Sequence, residues 1–345
     1  MRADTRVINR QGRLERSAGI AHGKFVAADG MTSLLETVIE CGDIVCVEGD
    51  NQKQADFLSK CLAGMNPAKV NKLHMVLSTI SLSTQLDIFE KGIAETVDFS
   101  YSGPQALRMA RMAMAGKIKI GNIHTYLELY SRYFTDLCPN VCCIAAELAD
   151  REGNLYTGDN TEDTPVVVEA TAFKNGIVIA QVNKIVDTIP RVDVPAGWVD
   201  FICESPGPFF LEPLFTRDPA QITEPMILMA MLAMKGIYAK YLPKSLNHGV
   251  GFNTAAIELM LPTYGQELGL KGNACLHWLL NPHPTMIPAI EEGFVKTIYT
   301  VGSELGMSEY IRSKPDIFPV GRDGGMRSNR AFGQMCGHYA TDMFI

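Results

Sequence analysis

Short apolar runs alternate along this chain with stretches whose apolar residues recur every three or four positions. The run Asp43-Ile44-Val45-Cys46-Val47 is too short for a helix and has the unbroken apolar character of a buried strand. After the polar turn Glu48-Gly49-Asp50-Asn51-Gln52, Ala55, Leu58 and Leu62 fall at helical intervals, and Gly64 stops the pattern. The same change of period recurs. Strands are predicted at 73–77, 97–101, 118–123, 141–146 and 177–182, and helices through Leu34 to Ile39, Leu86 to Gly92, Gln105 to Ala115 and Leu127 to Tyr133. Asp150-Arg151-Glu152-Gly153-Asn154 supplies turn chemistry between two extended segments and predicts a hairpin.

The second half repeats this logic. A helix over 224–241 carries an apolar stripe of Met226, Met229, Ala230 and Ala233. The loop Asn247 to Asn253 leads into a helical run from Thr254 to Leu268, and strands follow at 274–280 and 297–301. Alternating strand and helix predicts the α/β class, here as two similar, open, mostly parallel α/β domains. Residues 1–32 are polar and charged and read as an N-terminal arm, with domains at 33–222 and 223–345. Prolines 190, 195, 206, 208, 213, 219 and 225 mark a linker near 187–225.

Composition narrows the partners. A net charge of -7 leaves no broad basic stripe for nucleic acid. The apolar stretch from Pro225 to Met234 is too short to cross a bilayer, and the N-terminus lacks the apolar core of a signal peptide. Nine cysteines, scattered through apolar runs, fit a reducing cytoplasm, and Cys138, Cys142 and Cys143 read as buried thiols rather than a metal site.

A strand that feeds a helix through a tight turn sets backbone N–H groups beside the carboxyl end of a sheet, where open α/β sheets bind ligands. Two such turns stand out: Gly49-Asp50-Asn51, and Asn247-His248-Gly249-Val250-Gly251-Phe252. Their pairing suggests a ligand held between two sheets, with backbone donors aimed at a carbonyl or phosphate. The polar cluster Thr157 to Pro165, with Asn160 and Thr161, reads as a ligand loop or a solvated one, and Gln181 is polar in an apolar setting. His124, His248, His277 and His283 lie near predicted strand ends and read first as hydrogen-bonded structural residues. P-loop, dinucleotide-fingerprint, nucleophile-elbow and zincin motifs do not occur.

The strings EGDNQKQADFL (48–58), DFSYSGPQ (98–105), GNLYTGDNTEDTP (153–165), LNHGVGFNTAAIELMLPTYGQELGLKG (246–272) and HWLLNPHPTMIPAIEEG (277–293) resemble the alpha subunit of malonate decarboxylase. That family belongs to the CoA-transferase superfamily and is similar to the citrate lyase alpha subunit. The resemblance covers nearly the whole chain. It implies exchange of acetate for malonate on a carrier thioester: acetyl-S-acyl carrier protein plus malonate gives malonyl-S-acyl carrier protein plus acetate. The implied partners are the acyl carrier protein subunit, bearing a phosphopantetheine-type arm derived from dephospho-CoA, and subunits that decarboxylate the malonyl thioester. No cofactor bound directly to this chain is implied.

On this reading Gly49, Asp50, Asn51, Asn247, Gly249, Gly251 and Phe252 are the candidate donors for a developing oxyanion. Tyr101, Ser102, Asn160, Thr161 and Gln181 form the supporting polar shell. Many CoA transferases carry a nucleophilic glutamate on the second-domain strand, whereas this chain has His277-Trp278-Leu279-Leu280 there. The departure favours direct transfer through a mixed anhydride, with Glu304 the alternative nucleophile. Arg217, Arg322, Arg327 and Arg330 are open as the malonate clamp. Alpha subunits of the family continue past the position matching Ile345 through a further Gly-rich loop for the carrier arm, so the second domain is expected to be incomplete here. A transferase or lyase subunit for another carboxylate, a non-catalytic acyl- or phospho-ligand module, and a scaffold stay as alternatives.

Overall fold

A computed structural model describes residues 5–49, 53–160, 163–212, 218–249, 251–299, 306–319 and 339–341. The chain divides into two compact units: residues 1–158 with 162–212, and residues 159–161 with 213–345.

The first unit is built on strands β1 (Ile44–Val47), β2 (Lys53–Gln54), β3 (Leu73–Thr79), β4 (Ala94–Tyr101), β5 (Lys119–Ile123), β6 (Val141–Asp150), β7 (Leu155–Tyr156), β8 (Ile177–Val186), β9 (Phe201–Glu204) and β10 (Phe210–Leu211). Its main sheet has the order β5-β4-β3-β1-β6-β8-β9, parallel throughout, with β7 added antiparallel to β6 through the predicted hairpin. The central strands are apolar on both sides because helices cover both faces. Val45 and Val47 join one core with Leu34, Leu58 and Leu62, while Cys46 and Val76 join another with Tyr133 and Val168. The covering helices are α1 (Thr5–Ser17), α2 (Met31–Val38), α3 (Asp56–Ala63), α4 (Ser83–Glu90), α5 (Ala106–Met114), α6 (Tyr126–Thr135) and α7 (Thr164–Phe173).

Two sequence expectations fail here. Residues 5–32 are not a loose arm, because α1 is fastened by the buried Arg13, whose guanidinium donates to Asp43 at 2.5 and 2.9 Å and to the Val38 carbonyl at 3.0 Å. The Pro-rich segment is not a free linker either. Phe201, Ile202 and Cys203 are buried and extend the sheet as β9.

The second unit holds α8 (Glu224–Ala233), α9 (Ala239–Tyr241), β11 (Ser245–His248), α10 (Phe252–Met260), β12 (His277–Leu279), α11 (Ile287–Glu291), β13 (Thr297–Tyr299), α12 (Ser308–Ser313) and β14 (Tyr339–Thr341). Its four strands are parallel in the order β13-β12-β11-β14. The predicted long helix is broken by a π-helical turn, Met234–Tyr238, between α8 and α9. Its fully buried positions are Ala230, Met234 and Tyr238, with Met226, Met229 and Ala233 half-buried beside them.

Candidate functional site

Both predicted turns lie where strand order reverses. From β1 the chain runs outward through β3, β4 and β5, then returns to the other side of β1 as β6. From β11 it runs outward through β12 and β13, and β14 pairs on the opposite side of β11. The carboxyl end of a strand with its two neighbours wound in opposite senses opens a crevice, the usual ligand position of open α/β sheets.

At the end of β1, Glu48 is fully buried. Lys53, equally buried, lies 3.2 Å from its carboxylate, and the Ala145 N–H donates to it at 2.7 Å. The Thr164 hydroxyl also bonds this carboxylate, while the Lys53 ammonium donates to Thr164 Oγ1 at 2.6 Å and to the Ala145 carbonyl at 3.0 Å. Burial raises the carboxyl pKa of Glu48, with Lys53, Ala145 and Thr164 pulling against that rise. The pair pins both ends of the turn, because Glu48 precedes it and Lys53 closes it.

Gly49 is held between backbone and amide groups. Its carbonyl accepts from the Thr79 N–H at 2.7 Å, and it bridges to Gln54. A Cβ on Gly49 would stand 2.7 Å from Gln54 Oε1, 2.8 Å from Gln85 Nε2 and 3.2 Å from the Thr79 carbonyl. Gln85 in turn accepts from the Ser81 and Leu82 N–H groups at 2.9 Å. A side chain at position 49 would displace the buried amides of Gln54 and Gln85.

Gln181 of β8 accepts from the Leu58 N–H at 3.0 Å and donates to Asp56 at 3.1 Å. Its amide therefore fastens the first turn of α3. Tyr101 ends β4 half-exposed and Ser102 follows it, while Asn160 is buried. Asp50, Asn51, Thr161 and Glu304 lie outside the described residues, as do the four candidate clamp arginines.

At the end of β11, Asn247 and His248 precede the second turn and Phe252 opens α10. Thr254 Oγ1 lies 2.8 Å from both the Gly249 and the Gly251 carbonyls. Gly251 has an extended φ of 173°, and a Cβ there would meet only Thr254 Oγ1, at 3.8 Å. Among the described residues nothing requires a glycine at 251, in contrast to the crowding at Gly49. Beneath the turn, His248, Glu258 and His283 form a buried chain of ring nitrogens and carboxylate oxygens. In the first turn of α10 the buried Asn253 Oδ1 has no partner among the described residues.

Sequence reading missed Lys53, Gln85 and Glu258, and marked Thr164 only as one residue of the polar cluster Thr157 to Pro165. Each is a polar residue whose burial depends on partners distant in the chain.

The sequence profile of a family described as malonate decarboxylase, alpha subunit, transporter, matches residues 3–345. The chain is 60% identical over 322 residues to the acetyl-S-ACP:malonate ACP transferase of Malonomonas rubra, covering 93% of this chain and 58% of that protein. A chain of a Pseudomonas malonate decarboxylase hetero-tetramer solved with malonate superposes with a TM-score of 0.92 at 56% identity, over 96% of this chain and 61% of the other. The citrate lyase alpha subunit of Streptococcus mutans shares the fold, with a TM-score of 0.64 at 15% identity over 93% of this chain and 60% of that one. This chain thus spans somewhat less than two thirds of the length of these relatives, and it belongs to the malonate decarboxylase alpha-subunit family.

Proposed function

We propose that this chain carries the acetate-for-malonate exchange on an acyl carrier protein thioester. The observation that supports it most is the 60% identity, over 93% of the chain, to the Malonomonas rubra acetyl-S-ACP:malonate ACP transferase. The substrate is the acetyl thioester on the phosphopantetheine-type arm of a carrier subunit, and decarboxylase subunits take the malonyl product.

Exchange needs no redox step. A malonate carboxylate oxygen bonds to the acetyl carbonyl carbon, the carbon–sulfur bond breaks, and the thiolate leaves with the electron pair. The thiolate then attacks the malonyl carbonyl of the mixed anhydride and expels acetate. Both steps place negative charge on a carbonyl oxygen, which backbone N–H groups at fixed positions stabilise. Gly49, Asp50 and Asn51 in one unit, and Asn247, Gly249, Gly251 and Phe252 in the other, are assigned that role, with Tyr101, Ser102, Asn160 and Thr161 as polar surroundings.

Direct transfer is favoured over an enzyme-bound acyl group because strand β12, His277-Trp278-Leu279, carries no carboxylate, and because both oxygens of Glu258, the buried carboxylate beneath the second turn, are engaged. One oxygen is engaged by His248 at 3.0 Å, and the other by His283 at 2.8 Å and Thr285 at 3.1 Å. An oxygen so engaged is a poor nucleophile. The test is malonate-dependent acetate release from acetyl-carrier by the full complex, followed by hydroxylamine trapping. Release without a modified glutamate is expected, and a hydroxamate at Glu304 or Glu258 overturns direct transfer.

A further inference from the structure

His248 is the last residue of β11, and Glu258 lies in α10, the helix into which the β11 turn leads. His248 Nδ1 is 3.0 Å from Glu258 Oε1, so this contact closes a loop from strand end to helix across the turn Asn247–Phe252. His248 Nε2 is 2.8 Å from the Tyr238 hydroxyl, and the Trp278 ring packs edge-on against the imidazole at 4.5 Å. The other carboxylate oxygen of Glu258 reaches His283, in the loop that follows β12. One buried carboxylate thereby ties together the two adjacent turns at the carboxyl edge of this sheet.

Burial removes water from all of these groups, so each depends on its partners in the cluster: His248 Nδ1, His283 Nε2 and Thr285 Oγ1 face the carboxylate of Glu258, and the Tyr238 hydroxyl faces His248 Nε2. A network of this kind specifies one geometry, and losing a partner leaves a buried charge exposed to the full desolvation cost.

We infer that the His248–Glu258 pair is a positioning clasp, which holds the Asn247–Phe252 turn in the geometry that thioester exchange requires. His248 and Glu258 do not touch the reacting atoms. They act through the turn, and this inference rests on the exchange reading proposed above.

Two substitutions at one position separate positioning from bulk stability. In His248→Asn the side-chain amide nitrogen stands where Nδ1 stood and keeps the bond to Glu258. In His248→Gln it stands where Nε2 stood, facing Tyr238, and the bond to Glu258 is lost. Both remove the ring packed on Trp278. In the full complex, with acetyl-carrier and malonate, His248→Asn is expected to keep kcat within about threefold. His248→Gln should lose about 100-fold in kcat with KM for malonate unchanged, the scale on which small misplacements of catalytic groups act. Glu258→Gln should follow His248→Gln. Hydrogen exchange of the amides in the turn, measured on the same proteins, should quicken in His248→Gln and Glu258→Gln but not in His248→Asn. Equal kcat and equal amide exchange in the Asn and Gln variants overturn the clasp. If the wild-type complex shows no transfer while the turn amides still separate the two variants, the clasp stands and the exchange reading falls.

Discussion

Replacing Lys53 by Met probes the anchor of the first turn. In the folded chain the Lys53 ammonium lies fully buried, 3.2 Å from Glu48 and within hydrogen-bond reach of Thr164 Oγ1 and the Ala145 carbonyl. Removing it leaves the Glu48 carboxylate buried with only the Thr164 hydroxyl and the Ala145 N–H among the partners named here. Breaking one side of a buried pair typically costs roughly 3–5 kcal/mol, most of it the penalty of the charge left behind. Burial already raises the Glu48 carboxyl pKa, and Lys53 is the strongest influence lowering it. Without Lys53 the pKa rises further. A carboxyl whose folded pKa is raised keeps its full stability below the unfolded value of about 4.3 and loses it as pH climbs through the folded value, by up to about 1.4 kcal/mol per unit. Urea unfolding at pH 5 and pH 8, followed by fluorescence, reads this out, with Trp198 in the first unit and Trp278 in the second. The first-unit transition of Lys53→Met should weaken by the stated amount, and more at pH 8 than at pH 5. The double variant Glu48→Gln with Lys53→Met should recover most of the loss and all of the pH dependence. A cost under about 1 kcal/mol that is the same at both pH values would refute the reasoning, since a buried uncompensated charge cannot be that cheap.

Arg13→Ala should destabilise the first unit by about 3–5 kcal/mol, because it strands the buried Asp43 carboxylate, and denaturant unfolding of the variant checks it. Native-state labelling with a thiol reagent at pH 8 should modify Cys41 quickly and Cys138 more slowly, since these are the two of the eight described cysteines that are not buried. Cys142 and Cys275, pushed up to about 12 by burial, should react only after unfolding, and fast labelling of either would contradict their packing.

The alternation of strand and helix was readable because each central strand is a continuous apolar run, as in Val45-Cys46-Val47 and Val141-Cys142-Cys143-Ile144. Strand order was not readable. That β6 rather than β4 lies beside β1 depends on which helices pack on which face, and no local pattern records it. The two turns were found from their Gly and Asn content, yet the difference between them is three-dimensional: Gly49 is crowded by Gln54 and Gln85, whereas among the described residues Gly251 meets only Thr254 Oγ1. Lys53 read as one more polar loop residue, since its charge is buried only because Glu48, Thr164 and Ala145 converge on it from separate elements. β2 and β10 are two-residue strands with no period to detect, and the π turn at Met234–Tyr238 has no sequence signature of its own. His248 was read as structural, and the structure deepens that reading by giving the ring a partner in the helix its own turn begins.

Gly251→Ala tests the central claim most directly. Its φ of 173° suits any residue and a Cβ would stand 3.8 Å from its nearest described neighbour, so the fold should tolerate the methyl within about 0.5 kcal/mol. On the function proposed above, the carrier thioester approaches this glycine closely and a side chain there would obstruct it. The measurement is the intact mass of the carrier during a single turnover of the full complex with malonate. Wild type should convert acetyl-carrier to malonyl-carrier, and Gly251→Ala, with an unchanged unfolding midpoint, should do so at least about tenfold more slowly. Conversion by Gly251→Ala at the wild-type rate, or no malonate-dependent conversion by the wild-type complex, would contradict the account.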